Sequence, residues 1–333
     1  MQRSLGYARL WPAGDKRRVT VKDDYTLLLG AGVLSVARGI AKRREGADPG
    51  KAKRMNTVCV EKAQLVHEAF PDAVPDRRAS ATAVRGVVTS PGWDRTDAKT
   101  FVIDLAFADP FAPHEIKYDQ GDFQASLEDV AKLVGLPAAF VKEVKDTQKQ
   151  ALKAHRHIAW GKIAVFGLGG AVVMAAGGYA LAPWIGGALG GAAGLGGAAA
   201  TNFGLALFGG GSLAAGGAGV AGGMILVTGL AAGAGFVGGT GAEVMRQLGA
   251  RGTQAELIKL QTNYKANLLH TQLSQAKAKR LVTDLAKQQH EFEAVLARER
   301  EINDRNSQRL KDLEQTLQAI EDARKWMAEQ ADG

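Results

Sequence analysis

The most extended feature of the hydropathy pattern is a block of eighty residues, 163–242, that contains no Asp, Glu, Lys or Arg. It is about four times as long as the ~20 apolar residues that a helix needs to cross a bilayer. Loops between buried elements of a soluble protein normally carry charge, because they meet water. The pattern therefore predicts a membrane-inserting region, with its first span at 163–182 and its last at 218–240.

Glycine supplies 27 residues of this block, out of 42 in the whole chain. In water each glycine would weaken a helix by roughly 1 kcal/mol relative to alanine. In lipid the backbone must bond internally whatever its propensity, and glycines four residues apart let helix backbones pack closely. The predicted helix-packing positions are Gly186, Gly187, Gly190, Gly191, Gly194, Gly219, Gly223, Gly229, Gly233, Gly235 and Gly239.

Basic and aromatic residues flank the block. Such residues anchor helices at the headgroup level, and a basic excess marks the cytoplasmic side. Because both flanks are basic, both ends are predicted to face the cytoplasm. This arrangement needs an even number of passes: two, or four if the central glycine-rich stretch also spans. The predicted interface anchors are Arg156, Trp160, Lys162, Trp184 and Arg246.

After residue 251, apolar residues recur at spacings of three, four or seven, which is typical of a long helix with a coiled-coil seam. The seam turns polar around Glu299, Asn303 and Asn306, so a hairpin bend is an alternative to one continuous helix. The seam is expected to serve self-association or partner binding; the other interpretation is packing on the protein's own domain. The predicted seam residues are Val282, Leu285, Phe292, Leu296, Leu310, Leu313, Leu317 and Ile320.

The first 125 residues differ from the rest, because they hold most of the prolines. Stretches 82–90 and 100–108 have strand-like content, 114–119 alternates, and turn signals separate them. Segment 25–40 is apolar but too short for a span, and it predicts a buried or interfacial helix. The fold class is therefore mainly α, and the predicted domains are a small basic α+β domain (1–125), a helical connector (126–162), a glycine-rich transmembrane helical hairpin (163–242) and a coiled-coil region (243–333).

Charge follows the same division. Residues 1–162 carry 27 Lys and Arg against 20 Asp and Glu, whereas residues 243–333 carry 15 against 14. Seven Lys and Arg lie within 38–54, which indicates a solvated surface, lipid docking or nucleic-acid binding. The single cysteine, Cys59, excludes an intrachain disulfide and favours a reducing compartment. The first eighteen residues lack the apolar core of a secretory signal.

Candidate chemistry is sparse, and no Walker motif, nucleophile elbow or zincin motif is present. The expectation is a protein with no catalytic, cofactor-binding or metal-binding residues. Cys59 and His67 would need a third, orienting group to act as a thiol nucleophile. His155 and His157 point to different sides of a helix. The loop-like sequence at 29–32 (LGAG) lacks the third glycine of a dinucleotide site.

Segment 126–144 (SLEDVAKLVGLPAAFVKEV) resembles the helix-turn-helix of bacterial repressors. Ala131, Gly135 and Val141 stand where that motif has a small residue, a turn glycine and a buried aliphatic. The resemblance implies a recognition helix that presents Ala138, Ala139 and Lys142, which offers little for reading base edges. The alternative is a tight corner between two helices.

The sequence GGALGGAAGLGGAAATNFGLALFGGGSLAAGGAGVAGG resembles the Gly/Ala-rich hydrophobic hairpins of bacterial membrane-disrupting effectors and membrane-associated hydrolases. The resemblance covers about residues 158–245 and implies membrane insertion with oligomeric permeabilisation. We expect a pore-forming or membrane-disrupting effector of the bacterial inner membrane, either inserted or soluble before insertion. The alternatives are a static membrane-anchored coiled-coil scaffold and a membrane-tethered DNA-binding regulator. The expected partners are the bilayer, further copies of the chain and a protein bound by the C-terminal helix, with nucleic acid not expected.

Overall fold

The computed structural model describes residues 21–69, 84, 95–111, 114, 116–155, 253–254, 257–267, 269, 272–302 and 307–332. Helices make up most of these residues, and they include no strand. The prediction of a mainly α protein is confirmed. The helices are α1 (Val21–Arg44), α2 (Pro49–Ala69), α3 (Arg95–Ala106), α4 (Gln120–Leu133), α5 (Ala139–Ala154), α6 (Gln272–Ile302) and α7 (Gln308–Asp332), with a further helical segment at 257–266.

The described residues form two compact units. Unit 1 contains α1 to α4 and the start of α5, up to Lys142. Unit 2 contains the rest of α5, segment 253–267, α6 and α7. The predicted boundary between residues 125 and 126 falls inside α4, whereas the change of unit comes inside α5.

Helix α1 is the centre of unit 1 and packs against α2, α3 and α4. Two of its glycines permit close contact. A Cβ atom at Gly32 would lie 2.5 Å from Phe101 Cζ of α3, and one at Gly39 would lie 2.7 Å from Ser126 Oγ of α4. A larger residue at either position would push α1 away from its neighbour.

The middle of α1 is an interior element. Segment 25–40, predicted as a buried or interfacial helix, belongs to α1, and its residues 28–34 are buried. Residues 29–32, whose sequence lacks the third glycine of a dinucleotide site, form a buried helical turn rather than a loop.

The strand predicted at 100–108 is wrong, because residues 100–106 belong to α3 and are all buried. A short run that is apolar on all sides carries no period that separates a strand from a buried helix. Within 82–90 the structure describes Val84 alone, which is helical, and the described residues of 114–119 form no strand.

A short turn joins α4 to α5. Helix α4 begins at Gln120, six residues before the predicted helical connector at 126–162, because Asp119 is the N-cap and accepts hydrogen bonds from the backbone of Gly121 (2.8 Å) and Asp122 (3.1 Å). The turn after α4 contains Gly135, whose φ of 78° favours glycine. The second helix of segment 126–144, which the helix-turn-helix resemblance implies, corresponds to α5.

In unit 2, α6 and α7 pack against each other as an antiparallel pair. Arg300 pairs with Glu314 (2.8 Å), and Arg324 donates to Gln289 (2.8 Å), so residue numbers rise on one helix as they fall on the other. The C-terminal region is thus a hairpin, the alternative to one continuous helix.

The predicted seam residues lie within this unit. Most of them are buried in its core, and two pack against that core from partly buried positions. The buried ones are Leu285, Phe292, Leu296, Leu310, Leu313 and Ile320, and the partly buried ones are Val282 and Leu317.

No helix within the described ranges is long and apolar enough to cross a membrane. The block 163–242 and the predicted anchors Arg156, Trp160, Lys162, Trp184 and Arg246 lie outside the described residues. The same is true of the predicted packing glycines between Gly186 and Gly239. These assignments stay predictions.

Candidate functional site

Polar contacts in unit 2 join the two segments of chain that lead into and out of the charge-free block. His155 Nε2 lies 2.8 Å from Gln261 Oε1, and both residues are fully buried. Lys265 Nζ donates to Gln150 Oε1 (2.7 Å) and to Gln330 Oε1 (2.6 Å). We call these five residues the polar clasp. It connects the C-terminal end of α5, segment 257–266 and the end of α7.

The polar clasp brings together residues that are far apart in sequence. Gln150 and Lys265 are separated by 115 positions, and His155 and Gln261 by 106. Between them lie all the residues of the charge-free block. The segments that precede and follow the block therefore meet in unit 2.

Segment 257–266 is buried on nearly all of its faces, including the polar ones. Lys259 is 5 % exposed, and Gln261 and Thr262 are fully buried. Thr262 donates its hydroxyl to the carbonyl of Ile258, a partner within the same helix. A helix of this composition would ordinarily turn its polar side chains to water. Its burial on all sides shows that a large part of its surface is committed to contacts.

The hydrogen bonding of this polar interior is incomplete. Gln254 is fully buried, and neither atom of its side-chain amide has a hydrogen-bond partner in the part of the chain that the structure describes. The same holds for Gln261 Nε2 and Gln148 Oε1. Each unsatisfied buried group costs about 1–3 kcal/mol of stability. These unsatisfied groups therefore reduce the stability that burial of the region around the polar clasp would otherwise provide.

Burial lowers the pKa of His155, while its hydrogen bond to Gln261 and the charge of Asp322 act in the opposite direction. The imidazole is thus held neutral. A neutral imidazole donates from one nitrogen, and the amide oxygen of Gln261 needs a donor, so the proton lies on Nε2. His157, the other member of the candidate histidine pair, lies outside the described residues.

Lys265 is the cation of the polar clasp. Besides its two amide acceptors, its ammonium group lies 5.8 Å from the ring centroid of Trp326, within cation–π range. These contacts tie segment 257–266 to α5 and to α7 through one side chain.

Unit 1 contains a separate group of buried polar side chains around Lys62. Burial is the main cause that lowers the pKa of Lys62 to about 8, and Asp109 acts in the opposite direction. Burial and the charge of Asp109 raise the pKa of Tyr118 well above its usual range. Lys62 is only 3 % exposed, so an approaching substrate would find little of its amine. The group belongs to the core of unit 1.

Cys59 lies one helical turn before Lys62 and is likewise buried. Burial raises the pKa of its thiol to about 11, against smaller opposing contributions from Arg38 and Lys62. A thiolate is the reactive form, and it is disfavoured here. The hypothesis of a thiol nucleophile at Cys59 therefore finds no support in its surroundings.

The basic run at 38–54 is partly used inside unit 1. Arg43 pairs with Asp129 on α4 at 2.6 Å, and Arg44 pairs with Asp122 on the same helix. Two of the seven cations thus tie α1 to α4. Cations that are exposed at the corner between α1 and α2 include Lys42, Lys53 and Arg54.

The helix-turn-helix resemblance is matched by local geometry. Ala131 and Val141 are fully buried, and Gly135 adopts the turn conformation. A tight corner between two helices requires such buried and turn positions as much as a DNA-binding motif does.

The exposed face of α5 distinguishes the two interpretations. Lys142 has Glu143 beside it, and Lys149 pairs with Asp146 at 3.5 Å. This face carries both signs of charge, which matches the tight-corner interpretation better than phosphate binding.

Sequence reasoning missed the polar clasp and the Lys62 group. The Lys62 group left a signal, since Lys62 follows Met55, Val58 and Cys59 at helical spacing on a buried stripe. The polar clasp left none, because amide side chains carry no pattern that pairs them across a hundred residues. No protein-family model, no curated protein and no solved structure matches this chain.

Proposed function

We propose that the protein is a membrane-inserting effector that permeabilises a bilayer through the glycine-rich hairpin at 163–242. The observation that carries the proposal is the block of eighty residues without a charged side chain. Such a block can lie against hydrocarbon without the free-energy cost of burying charge. Its recurrent glycines four residues apart supply faces for close helix packing.

The polar clasp supports the hairpin part of the proposal. Because His155 contacts Gln261, the segments before and after the block start from one place in unit 2. A folded unit that holds both segments keeps them on one side of a membrane, so the number of passes is even. Basic flanks on both sides lead to the same topology.

Assembly in this proposal falls to the glycine faces. The predicted seam of the C-terminal region is occupied within unit 2, since Phe292, Leu296 and Ile320 are buried in its own core. Those side chains offer little apolar surface to a second copy while the α6–α7 pair is intact. The glycines from Gly186 to Gly239 then become the surface that joins protomers.

The proposal is tested by expressing the full chain briefly in bacteria and fractionating the cells. The membranes are washed with carbonate, and a potential-sensitive dye is read in parallel. An effector gives carbonate-resistant protein together with a collapse of potential. Carbonate-resistant protein with an intact potential would exclude permeabilisation.

A static membrane-anchored scaffold is the second candidate. The charged outer face of the α6–α7 pair favours it, because Lys279, Arg298 and Lys311 are exposed to a soluble partner. Replacing residues 163–242 by an unrelated two-span hairpin separates the two candidates. A scaffold keeps its function after the exchange, whereas an effector loses it.

A membrane-tethered DNA-binding regulator is the third candidate, and it rests on the turn geometry at Gly135. The mixed charge of α5 speaks against it. Filter binding of duplex DNA at rising salt decides the question, since phosphate contacts give an affinity that falls steeply with salt.

A further inference from the structure

We propose that the polar clasp is an acid-released device: protonation of His155 separates α5 from segment 257–266, the two segments of chain that flank the charge-free block. The inference rests on the proposed function and adds the trigger. Two observations carry it. His155 and Gln261 form a buried contact, and they lie in the segments that precede and follow the charge-free block.

The closed arrangement favours a neutral imidazole. Gln261 Oε1 faces one ring nitrogen at 2.8 Å, and His155 has no exposed surface. An imidazolium carries two N–H donors and a full charge. Burying a full charge costs far more free energy than burying a neutral ring, whereas water solvates the charge freely once the polar clasp opens.

The charged groups near His155 do not reverse the preference of the closed state for a neutral imidazole. Asp322 on α7 favours the protonated ring; one oxygen of its carboxylate accepts a hydrogen bond from Gln318 (2.9 Å), and the other has no hydrogen-bond partner within the described residues. Positive charges stand on the same elements as His155 and its partner: Lys153 on α5, and Lys259 and Lys265 on the helical segment. Burial remains the largest influence and lowers the pKa of His155.

The pH window follows from that direction. The pKa of His155 is lower in the closed state than the ordinary value of 6.5. The open state therefore binds the proton more tightly. The closed state keeps its full stability above about pH 6.5 and loses it progressively as the pH falls below that value. Acid is thus the signal that opens the polar clasp.

Acid release should be local. The α6–α7 pair is held by an apolar core that includes Leu285, Phe292 and Met327, and these side chains do not titrate. Segment 257–266 packs into the same core through Leu257, Leu260 and Tyr264, but its contact with α5 includes the pair of His155 and Gln261, in which the imidazole titrates. Protonation therefore acts first on the contact between α5 and this segment.

Two readouts test the inference on the full-length protein between pH 8 and pH 5. The first is hydrogen–deuterium exchange of residues 257–267 without lipid, corrected for the intrinsic effect of pH. The second is flotation with vesicles of phosphatidylcholine and phosphatidylglycerol. We expect both the exchange and the vesicle-bound fraction of the wild-type protein to rise as the pH falls from about 6.5 to 5.

The decisive variant is His155→Gln, whose amide can hydrogen-bond Gln261 but does not titrate. It should lose the acid response in both readouts. The matched control is His290→Gln on α6, because His290 is 88 % exposed and pairs with Glu293 at the surface. That control should keep the wild-type profile. Equal acid responses in wild type and His155→Gln would overturn the inference.

A second variant covers the case in which His155→Gln fails to fold by circular dichroism. Gln261→Glu places a carboxylate beside the ring nitrogen that now lies 2.8 Å from the amide oxygen, and it stabilises the imidazolium in the closed state. The acid transition should then shift down by about one pH unit or more. An unchanged or higher transition pH would contradict the proposal.

The two readouts separate the inference from the proposed function. An acid-dependent exchange that needs His155, combined with no flotation at any pH, keeps the device and rejects the membrane effector. Flotation that is equal at every pH, with exchange unaffected by His155→Gln, keeps membrane insertion and rejects the device.

Discussion

Unit 1 and unit 2 fill their interiors in different ways. In unit 1, α1 lies so close to α3 that Gly32 has no room for a side chain beside Phe101. In unit 2, the buried segment 257–266 adds Gln261, Thr262 and Asn263 to an interior that its apolar side chains share with α6 and α7. Close apolar packing resists opening, because every displaced side chain leaves a cavity. Amide contacts can be exchanged for contacts with water at a small net change in free energy.

This contrast indicates where the protein can change shape. Unit 1 contains buried ionisable groups, but they lie inside a tightly packed helical core. The polar clasp of unit 2 joins the segments on either side of the charge-free block. The proposed acid opening needs contacts of low stability, and low-stability regions are the usual sites of such movements. Substitutions in either unit test whether the two interiors differ in stability in this way.

The largest effect is expected from Phe101→Ala. Phe101 is fully buried against Gly32, so its truncation leaves a cavity and destabilises unit 1 by about 3–5 kcal/mol. Hydrogen–deuterium exchange should rise in α1 and α3 and stay unchanged in α6 and α7. The control is Val60→Ala, because Val60 is 60 % exposed. Equal loss of protection in α6 and α7 would show that the two cores unfold together.

The next effect concerns Lys62 and pH. Its pKa falls from 10.5 to about 8 in the folded protein, so its contribution to stability rises with pH between those values, by on the order of 3 kcal/mol at most. Cys59 acts oppositely, because its pKa rises from 9.0 to about 11 and its contribution is lost as the pH rises through that range.

The variant Lys62→Met isolates the lysine from the cysteine. Urea denaturation at pH 7.5 and pH 9.5 gives the difference in unfolding free energy between variant and wild type at each pH. This difference should favour the variant more strongly at the lower pH, where the wild type buries a charge. The exposed Lys53→Met serves as control. A difference that does not vary with pH would contradict the lowered pKa.

A smaller effect is expected for Lys265→Met in the polar clasp. The change removes the donor to the amide oxygens of Gln150 and Gln330, which water can partly replace because these side chains are not fully buried, and it should cost about 0.5–1.5 kcal/mol. Exchange of residues 257–267 reports the loss. Lys311→Met, at an exposed position of α7, is the control and should stay within about 0.5 kcal/mol of wild type. Equal losses of stability in the two variants would show that the contacts of Lys265 contribute no more than an exposed lysine does.

The smallest effect is expected for Asp129→Asn. The Arg43–Asp129 pair is short at 2.6 Å, but its side chains are 31 % and 56 % exposed. Such pairs contribute less than about 1 kcal/mol and are screened by salt. Urea denaturation in low salt and in 1 M NaCl should show a small difference that vanishes at high salt. A loss above about 2 kcal/mol would mean that α1 and α4 depend on this tie.

Much of the helical structure could be predicted from the sequence where one face repeats. Leu285, Phe292 and Leu296 are buried as their spacing predicts, and the polar stretch at 299–306 falls where α6 ends and α7 begins. The strand predicted at 100–108 was wrong, because a run that is buried on all sides carries no period.

The start of α4 was predicted too late in the chain for a related reason. Asp119 precedes a polar first turn, Gln120 to Asp122, in which no apolar period indicates a helix. The capping interaction is visible only in the structure, where Asp119 accepts two backbone hydrogen bonds. The candidate site was harder still, because neither His155 nor Gln261 belongs to a motif.

Composition and spacing were enough to divide the chain, to mark the charge-free block and to find the apolar faces of the long helices, because each of these is a local property. The surfaces that those faces cover became known only from the folded arrangement. It placed the C-terminal seam inside unit 2, and it paired His155 with Gln261 across 106 positions. Contacts between distant residues depend on how helices pack, and no spacing along the chain encodes them.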